Sequence, residues 1–436
     1  MTWLIVGLGV ANEAVARQLR RRGEAVVATD DRPTDATRER AASAGVELIE
    51  APTDEVLEAL VRDAAVVLPG PGVPVSHPAY RLAEAHDTPV WSEFELAARW
   101  APDARLAAVT GTNGKTTVTT VVTAMLRAST CRAVAAGNND LPLVDALDFG
   151  VDVIVVEASS FRLQHAPSFH PQVAAWLNLA EDHLDWHPDM AHYAAAKARI
   201  WANHIAEDLA VANADDAVVM DAVRATSARV ETFGLGQADW HVEDGALWTP
   251  AGEQVVKIDE LPLARPHDLA NALAACAVAV GAGATLDACH AVLTTFTGLP
   301  HRVQLVRDAG GVRWYDDSKA TTPASVVAAV SGFPSVVLIA GGRNKGLRLD
   351  TLREVADHIR SVVAIGDSAD EVEATFAGLR PVERASSMDE AVAAAQRAAE
   401  AGDAVLLSPG CASYDWYRNY GERGDDFARA VKELAS

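Results

Sequence analysis

The sequence predicts an α/β protein of three successive parallel-sheet units. Three observations predict it. Short β-branched runs alternate with Ala-rich stretches of helical length along the whole chain. The 436 residues correspond to about three domains at roughly 150 residues each. Half the residues are apolar and 22% charged, so each unit can bury its own core and extensive disorder is not expected.

The first unit, expected over 1–92, opens with the strand Trp3–Val6, the turn Gly7-Leu8-Gly9 and a helix to about Arg22. A strand Ala25–Thr29 ends at Asp30-Asp31-Arg32-Pro33, and another, Ala65–Leu68, runs into Pro69-Gly70-Pro71-Gly72. A new helix begins at Ser92-Glu93, which places the second unit over 93–297. It carries the strand Leu106–Val109, a Gly-rich turn, a helix from Lys115 and a strand Val151–Val156 ending at Glu157. Residues Val211–Thr249 read as β-rich and loop-rich, and an Ala-rich helix spans Leu269 to Val280. The third unit, 298–436, is expected to contain strands at Val312–Tyr315, Ser335–Ala340, Ser361–Ile365 and Ala404–Leu407.

Acidic residues outnumber basic ones, 60 against 37, for a formal charge of −23. Such a surface repels phosphate backbones and anionic lipids, so neither nucleic acid nor membrane is an expected partner. A small anionic substrate remains compatible, because a local donor cluster or a divalent ion reverses the field inside a cleft. The four cysteines (Cys131, Cys276, Cys289, Cys411) are scattered and form no C-x-x-C pair, which suits a reducing cytosol. No apolar run approaches the ~20 residues of a spanning helix, and no leader peptide is read before Trp3. A cytoplasmic monomer is expected.

The strongest motif is Gly111-Thr112-Asn113-Gly114-Lys115-Thr116-Thr117, between an apolar strand and a helix. Glycines let the backbone turn tightly, so its N–H groups and the helix N-terminus can surround a polyphosphate. Lys115 would neutralise the outer phosphates and the Thr116 hydroxyl would ligate Mg²⁺. The alternative, an ordinary glycine turn, does not require a lysine and a hydroxyl in that order. Glu157 ends an apolar strand, where α/β sheets place ligand residues, though an isolated carboxylate there could equally be a cap or a solvated charge. Asn178 through Asp185 form an acidic cluster around His183, and a single histidine is more often structural. Lys197 sits alone on an Ala-rich helix, and a solvated charge is the default for lysine.

Together these motifs resemble the Mur ligases of peptidoglycan synthesis: G-T-N-G-K-T-T, then Glu157-Ala158-Ser159-Ser160-Phe161, then Asn178–Asp185, then Lys197. In the last third, Gly298-Leu299-Pro300-His301-Arg302, Asp317-Ser318-Lys319-Ala320-Thr321, Gly341-Gly342-Arg343-Asn344-Lys345-Gly346 and Ser408 through Asp415 are similar to the D-glutamate-adding members. The resemblance covers nearly the whole chain in the same order. It implies a Rossmann-like N-terminal domain, a central P-loop-type ATPase domain and a Rossmann-like C-terminal domain. Thr116 and Glu157 would hold one Mg²⁺ beside ATP. His183 and Lys197 would serve a second, with Lys197 carbamylated. Asn271, Arg302 and Asp317 would hold the nucleotide, while Lys319, Thr321, Lys345, Ser413 and Tyr420 would line the glutamate pocket.

Gly7-x-Gly9 with Asp30 after the next strand is half of a dinucleotide fingerprint, but Asn12 replaces the third glycine and disfavours NAD. The resemblance offers UDP instead, with Gly9, Asp30, Arg32 and Asn138 around it. Asp31, Asp140 and Asp268 depart from the family pattern at the uridine, diphosphate and adenine contacts. The implied reaction joins glutamate to UDP-N-acetylmuramoyl-L-alanine: its carboxylate attacks the ATP γ-phosphate, and the amine then displaces phosphate from the acyl phosphate. Lys115 and the metal ions would offset the charge that slows attack of anion on anion. Alternatives are a sister ligase adding L-glutamate or another amino acid, an NAD-dependent oxidoreductase, and an ATP-gated binding protein without catalysis.

Overall fold

The computed structural model describes residues 2–434 except 139, 140, 185 and 345. Two compact units emerge. The first comprises Met1–Leu179, Trp186–Ala264 and Asp268–Phe296, and the second Ala180–Asp185, Arg265–His267 and Thr297–Ser436.

The first unit contains two parallel sheets and a small antiparallel one. The four-stranded sheet runs in the order Glu47–Glu50, Ala25–Asp30, Thr2–Val6, Ala64–Pro69. Its helix Val10–Arg21 turns Ala11, Ala14, Val15 and Leu19 inward, the i, i+3, i+4 spacing of one buried face. The six-stranded sheet runs Arg229–Phe233, Leu209–Asn213, Val173–Trp176, Leu106–Thr110, Val153–Glu157, Ala133–Gly137. Its three middle members, Val173–Trp176, Leu106–Thr110 and Val153–Glu157, are buried along their whole length, as a parallel sheet covered on both faces requires. The chain winds first to one side of Leu106–Thr110 and then to the other. That reversal leaves a crevice at the carboxyl ends of the strands, where Glu157 pairs with Val109 and Gly137.

The stretch expected to be only β-rich and loop-rich also holds a helix, Ala217–Val223. Asp216 caps it by accepting from the amides of Val218 and Val219 (3.0 and 3.2 Å), and Val219 and Val223 bury the i, i+4 stripe. The Ala-rich helix is longer than expected, Pro266–Gly281, with proline at its first turn. Gly281 sits where an added Cβ would lie 2.5 Å from Leu209 Cδ2, so the helix end lies close against the sheet.

The second unit has one six-stranded sheet in the order Gln304–Ala309, Val312–Asp316, Ala404–Gly410, Val336–Gly341, Ile359–Ile365, Val382–Arg384. Only the first pair is antiparallel. Its hairpin turns at Gly310-Gly311, both with positive φ (62° and 79°). That dipeptide is a hairpin signal, although the expected strands began only at Val312. Alternate residues of Val336–Gly341 enter opposite cores: Val336, Leu338 and Ala340 with the helix Pro323–Val330, Val337 and Ile339 with Met388–Ala398 and Tyr420–Glu433. Among the described residues, no helix is long and apolar enough to cross a membrane.

Candidate active site

The phosphate loop folds as its residues suggest. Gly114 precedes the helix Lys115–Ala128 at φ +87°, a left-handed conformation, and a Cβ there would lie 2.5 Å from Asn271 Oδ1. This places Asn271, expected to hold nucleotide, directly against the loop. Asn178 clamps the loop from the neighbouring strand end. Its carbonyl accepts from Thr112 N (3.0 Å), its Oδ1 accepts from Asn113 N (2.8 Å), and its Nδ2 donates to the Asn113 carbonyl (3.2 Å). Lys115 Nζ donates to the carbonyls of Gly111 (2.8 Å) and Thr112 (2.7 Å), so its ammonium is held over the loop. Beside the loop, Thr117, Val121, Leu261, Leu293 and Phe296 line an apolar slot whose polar edge is Asp268 and Asn271. An aromatic base fits such a lining.

Glu157 is buried at the end of its strand, 3% exposed. Its Oε1 accepts from Asn138 Nδ2 (3.2 Å), while among the described residues its Oε2 has no hydrogen-bond partner. A buried carboxylate oxygen left without a donor is costly unless a cation serves it. A carboxylate oxygen at the end of the strand beside Leu106–Thr110, whose loop leads to Thr116, fits Mg²⁺, which takes oxygen ligands and few from protein.

Lys197 is 1% exposed, so the expectation of a solvated charge fails for it. Its Nζ donates to the Gly111 carbonyl (2.8 Å) and lies 4.4 Å from the Tyr193 ring centre. Tyr193 OH in turn lies 3.3 Å from Thr112 Oγ1. Sequence reasoning gave Tyr193 no role. The signal was its i, i+4 spacing to Lys197 on one helix face.

In the four-stranded sheet, Gly9 precedes the helix Val10–Arg21 with open space where a Cβ would stand. Asp30 accepts from the amides of Leu8 (3.2 Å) and Arg32 (3.0 Å), bracing the two loops at the strand ends. Arg32 is exposed. Asn12 donates to the carbonyls of Gly7 (2.9 Å) and Leu68 (3.2 Å), so it is a tie between strand ends rather than the small residue of a dinucleotide site. Asn138, expected at the diphosphate, is found bonded to Glu157 and Arg162.

In the second unit, Asp317 is buried, with Oδ2 accepting from Ser408 Oγ (2.7 Å) and Oδ1 from Val303 N (3.2 Å). Burial lifts its carboxyl to about 7, against the Ser408 bond and the Arg302 charge, which pull it down. The Lys319 ammonium stands 5.5 Å from the Tyr420 ring centre, and the Tyr420 carbonyl accepts from Ser318 Oγ (2.7 Å). Ser413 is buried and Thr321 half-buried. His183 adopts a strained φ of +56°, its Nε2 lying 3.3 Å from Asp182 Oδ2. His183 and Lys197, expected to share a metal, belong to different units. Lys345, expected in the glutamate pocket, lies outside the described residues, as does Asp140.

Residues 109–279 match the family model for the Mur ligase middle domain, and residues 301–411 that for the Mur ligase glutamate ligase domain. The UDP-N-acetylmuramoylalanine–D-glutamate ligase of Frankia casuarinae is 44% identical, the match covering 98% of this chain and 93% of that protein. The enzyme of the same name from Bacillus subtilis is 34% identical, covering 99% and 97%. Two solved structures share the fold: a pseudomurein peptide ligase type C from Methanothermus fervidus (TM-score 0.63, 17% identity, 100% of each chain) and the UDP-N-acetylmuramate–alanine ligase of Thermotoga maritima (TM-score 0.62, 19% identity, 99% of each). With full-length relatives above a third identical and two family models matched in order, the chain belongs to the Mur ligase family.

Proposed function

We propose that this chain joins D-glutamate to UDP-N-acetylmuramoyl-L-alanine, driven by cleavage of ATP to ADP and phosphate. The names of the full-length relatives support the substrates. The observation that carries the chemistry is the buried Glu157 oxygen that has no donor among the described residues, one strand away from a lysine-bearing glycine loop.

In this reading the loop amides and Lys115 bind the β- and γ-phosphates, so Lys115 leaves the loop carbonyls for the nucleotide. The apolar slot takes the base, with Asp268 and Asn271 at its exocyclic edge. Thr116 and Glu157 would hold one Mg²⁺, and His183 with a carbamylated Lys197 a second. The ions supply positive charge that lets a carboxylate approach a phosphate. The acceptor carboxylate attacks the γ-phosphorus, giving an acyl phosphate and ADP. The glutamate amine then attacks that carbonyl, loses a proton and expels phosphate. Lys319, Thr321, Ser413 and Tyr420, with Lys345, would orient the incoming dicarboxylate, ammonium and hydroxyl donors fixing its two ends. Gly9, Asp30 and Arg32 would take the uridine end, with Asn138 near the diphosphate. The enzyme works as a cytosolic monomer.

The test is phosphate release with ATP, UDP-N-acetylmuramoyl-L-alanine and D- or L-glutamate in turn. Release is expected with D-glutamate alone. A preference for L-glutamate would favour the sister ligase, and release with neither would defeat the assignment.

A further inference from the structure

Behind Glu157 a chain of hydrogen bonds runs through exposed Asn138 to buried Arg162 and Glu93, and the reaction scheme does not use the last two. Glu93 is 4% exposed and Arg162 7%. The Glu93 Oε1 accepts from the amides of Leu143 and Val144, and its Oε2 accepts from Arg162 Nε (3.1 Å). Arg162 Nη1 donates to Asn138 Oδ1 (2.8 Å), and Asn138 Nδ2 donates to Glu157 Oε1 (3.2 Å). All these residues lie in the first unit.

The polarity of this chain is set at one end. A side-chain amide can present either its oxygen or its NH₂ to a neighbour, but a guanidinium only donates. Arg162 therefore holds the Asn138 oxygen toward itself and leaves the NH₂ for Glu157. Turned the other way, Asn138 would set its carbonyl oxygen against the carboxylate, and Glu157 would have to move or take its donor elsewhere. Glu93 balances the Arg162 charge, as a buried guanidinium requires.

We propose that Arg162, neutralised by Glu93, is a positioning residue for the metal site. It fixes the Asn138 amide so that Oε1 of Glu157 is occupied and Oε2 alone is presented to the divalent ion. The proposal rests on the reading of Glu157 as a metal ligand, and its test separates the two.

Mn²⁺ binding to the full chain with a β,γ-imido ATP analogue, followed by the electron paramagnetic resonance signal of free Mn²⁺, needs no turnover. Removing both charges together in Glu93→Gln/Arg162→Met avoids a lone buried ion, and this variant is expected to weaken Mn²⁺ about tenfold, as loss of a partner behind a metal ligand does. Glu93→Gln alone leaves Arg162 to donate and should keep Mn²⁺ affinity within about twofold. Arg162→Lys keeps the charge beside Glu93 but lacks the fork that spans both acceptors. It should lose about threefold, and it serves if the double variant does not fold. Unchanged affinity in whichever of these Arg162 variants folds, beside a loss in Glu157→Gln, would overturn the proposal alone. Equal losses in Glu93→Gln and the double variant would overturn it too. Unchanged affinity in Glu157→Gln would overturn the metal reading and the proposal with it.

Discussion

Lys197 reaches from the helix Met190–Ala198 to the Gly111 carbonyl, 2.8 Å away, so a fully buried ammonium ties that helix to the first residue of the phosphate loop. A buried lysine needs partners that outweigh its lost hydration. Here they include the Gly111 carbonyl and the Tyr193 ring.

Lys197→Ala should nearly abolish phosphate release, by at least ~100-fold, the scale on which loss of a charged active-site group acts. Binding of the UDP substrate, measured by calorimetry, should stay intact because the four-stranded sheet is untouched. Unchanged turnover would remove Lys197 from the mechanism.

Glu157→Gln should separate stability from activity. It keeps an acceptor for Asn138 and removes a buried carboxylate whose second oxygen has no donor among the described residues. The melting temperature without ligand should rise, reflecting a stability gain of about 1 kcal/mol or more. Phosphate release should fall ~100-fold or more at saturating Mg²⁺. A variant that is less stable and fully active would contradict both halves.

Asp317 gives a pH signature. Burial lifts its folded carboxyl to about 7, whereas an unfolded aspartate titrates near ~3.9. Between these values the folded chain holds a proton that the unfolded chain has lost, so this group's contribution to stability declines as pH rises through that window. Asp317→Asn has no such slope. Its urea midpoint should match that of the parent near pH 4 and exceed it at pH 8, where its unfolding free energy should be higher by up to ~4 kcal/mol. A difference that shrinks with rising pH would refute the shift.

Gly342→Ala should destabilise the second unit. Gly342 has φ +126°, and a Cβ there would overlap the Ala412 carbonyl oxygen that accepts from Arg343 N (2.8 Å). The strain and the disrupted bridge should cost ~2 kcal/mol or more, read from chemical denaturation. Glutamate KM should rise with it, since Lys319 and Ser413 belong to the same unit.

The three parallel sheets were legible because their strands are β-branched runs bounded by Gly- and Pro-rich turns, and such local periodicity survives folding. The strands Glu47–Glu50 and Gln304–Ala309 were not read. Both lie at sheet edges, and their mostly exposed or half-buried side chains make no continuous apolar run, whereas Val173–Trp176 and Ala133–Gly137, also not read, are short Ala-rich strands of the six-stranded sheet. The phosphate loop was equally legible, since glycine, lysine and threonine act there through backbone geometry over seven consecutive residues. Glu157 and Lys197 could be marked as candidates but not as buried groups. Burial depends on what the tertiary structure stacks around a residue, not on the residue itself.

By itself, then, the sequence determined the layer architecture, the nucleotide loop and the identities of the ionisable groups, because these rest on contacts a few residues apart. Only the tertiary structure decided that Lys197 would lie under the loop, that Asn138 would face Glu157, and that Arg162 and Glu93 would stand behind them. Those partners come from segments up to 86 residues apart (Gly111 and Lys197), and hydrogen-bond direction between them is set by packing that no local pattern records.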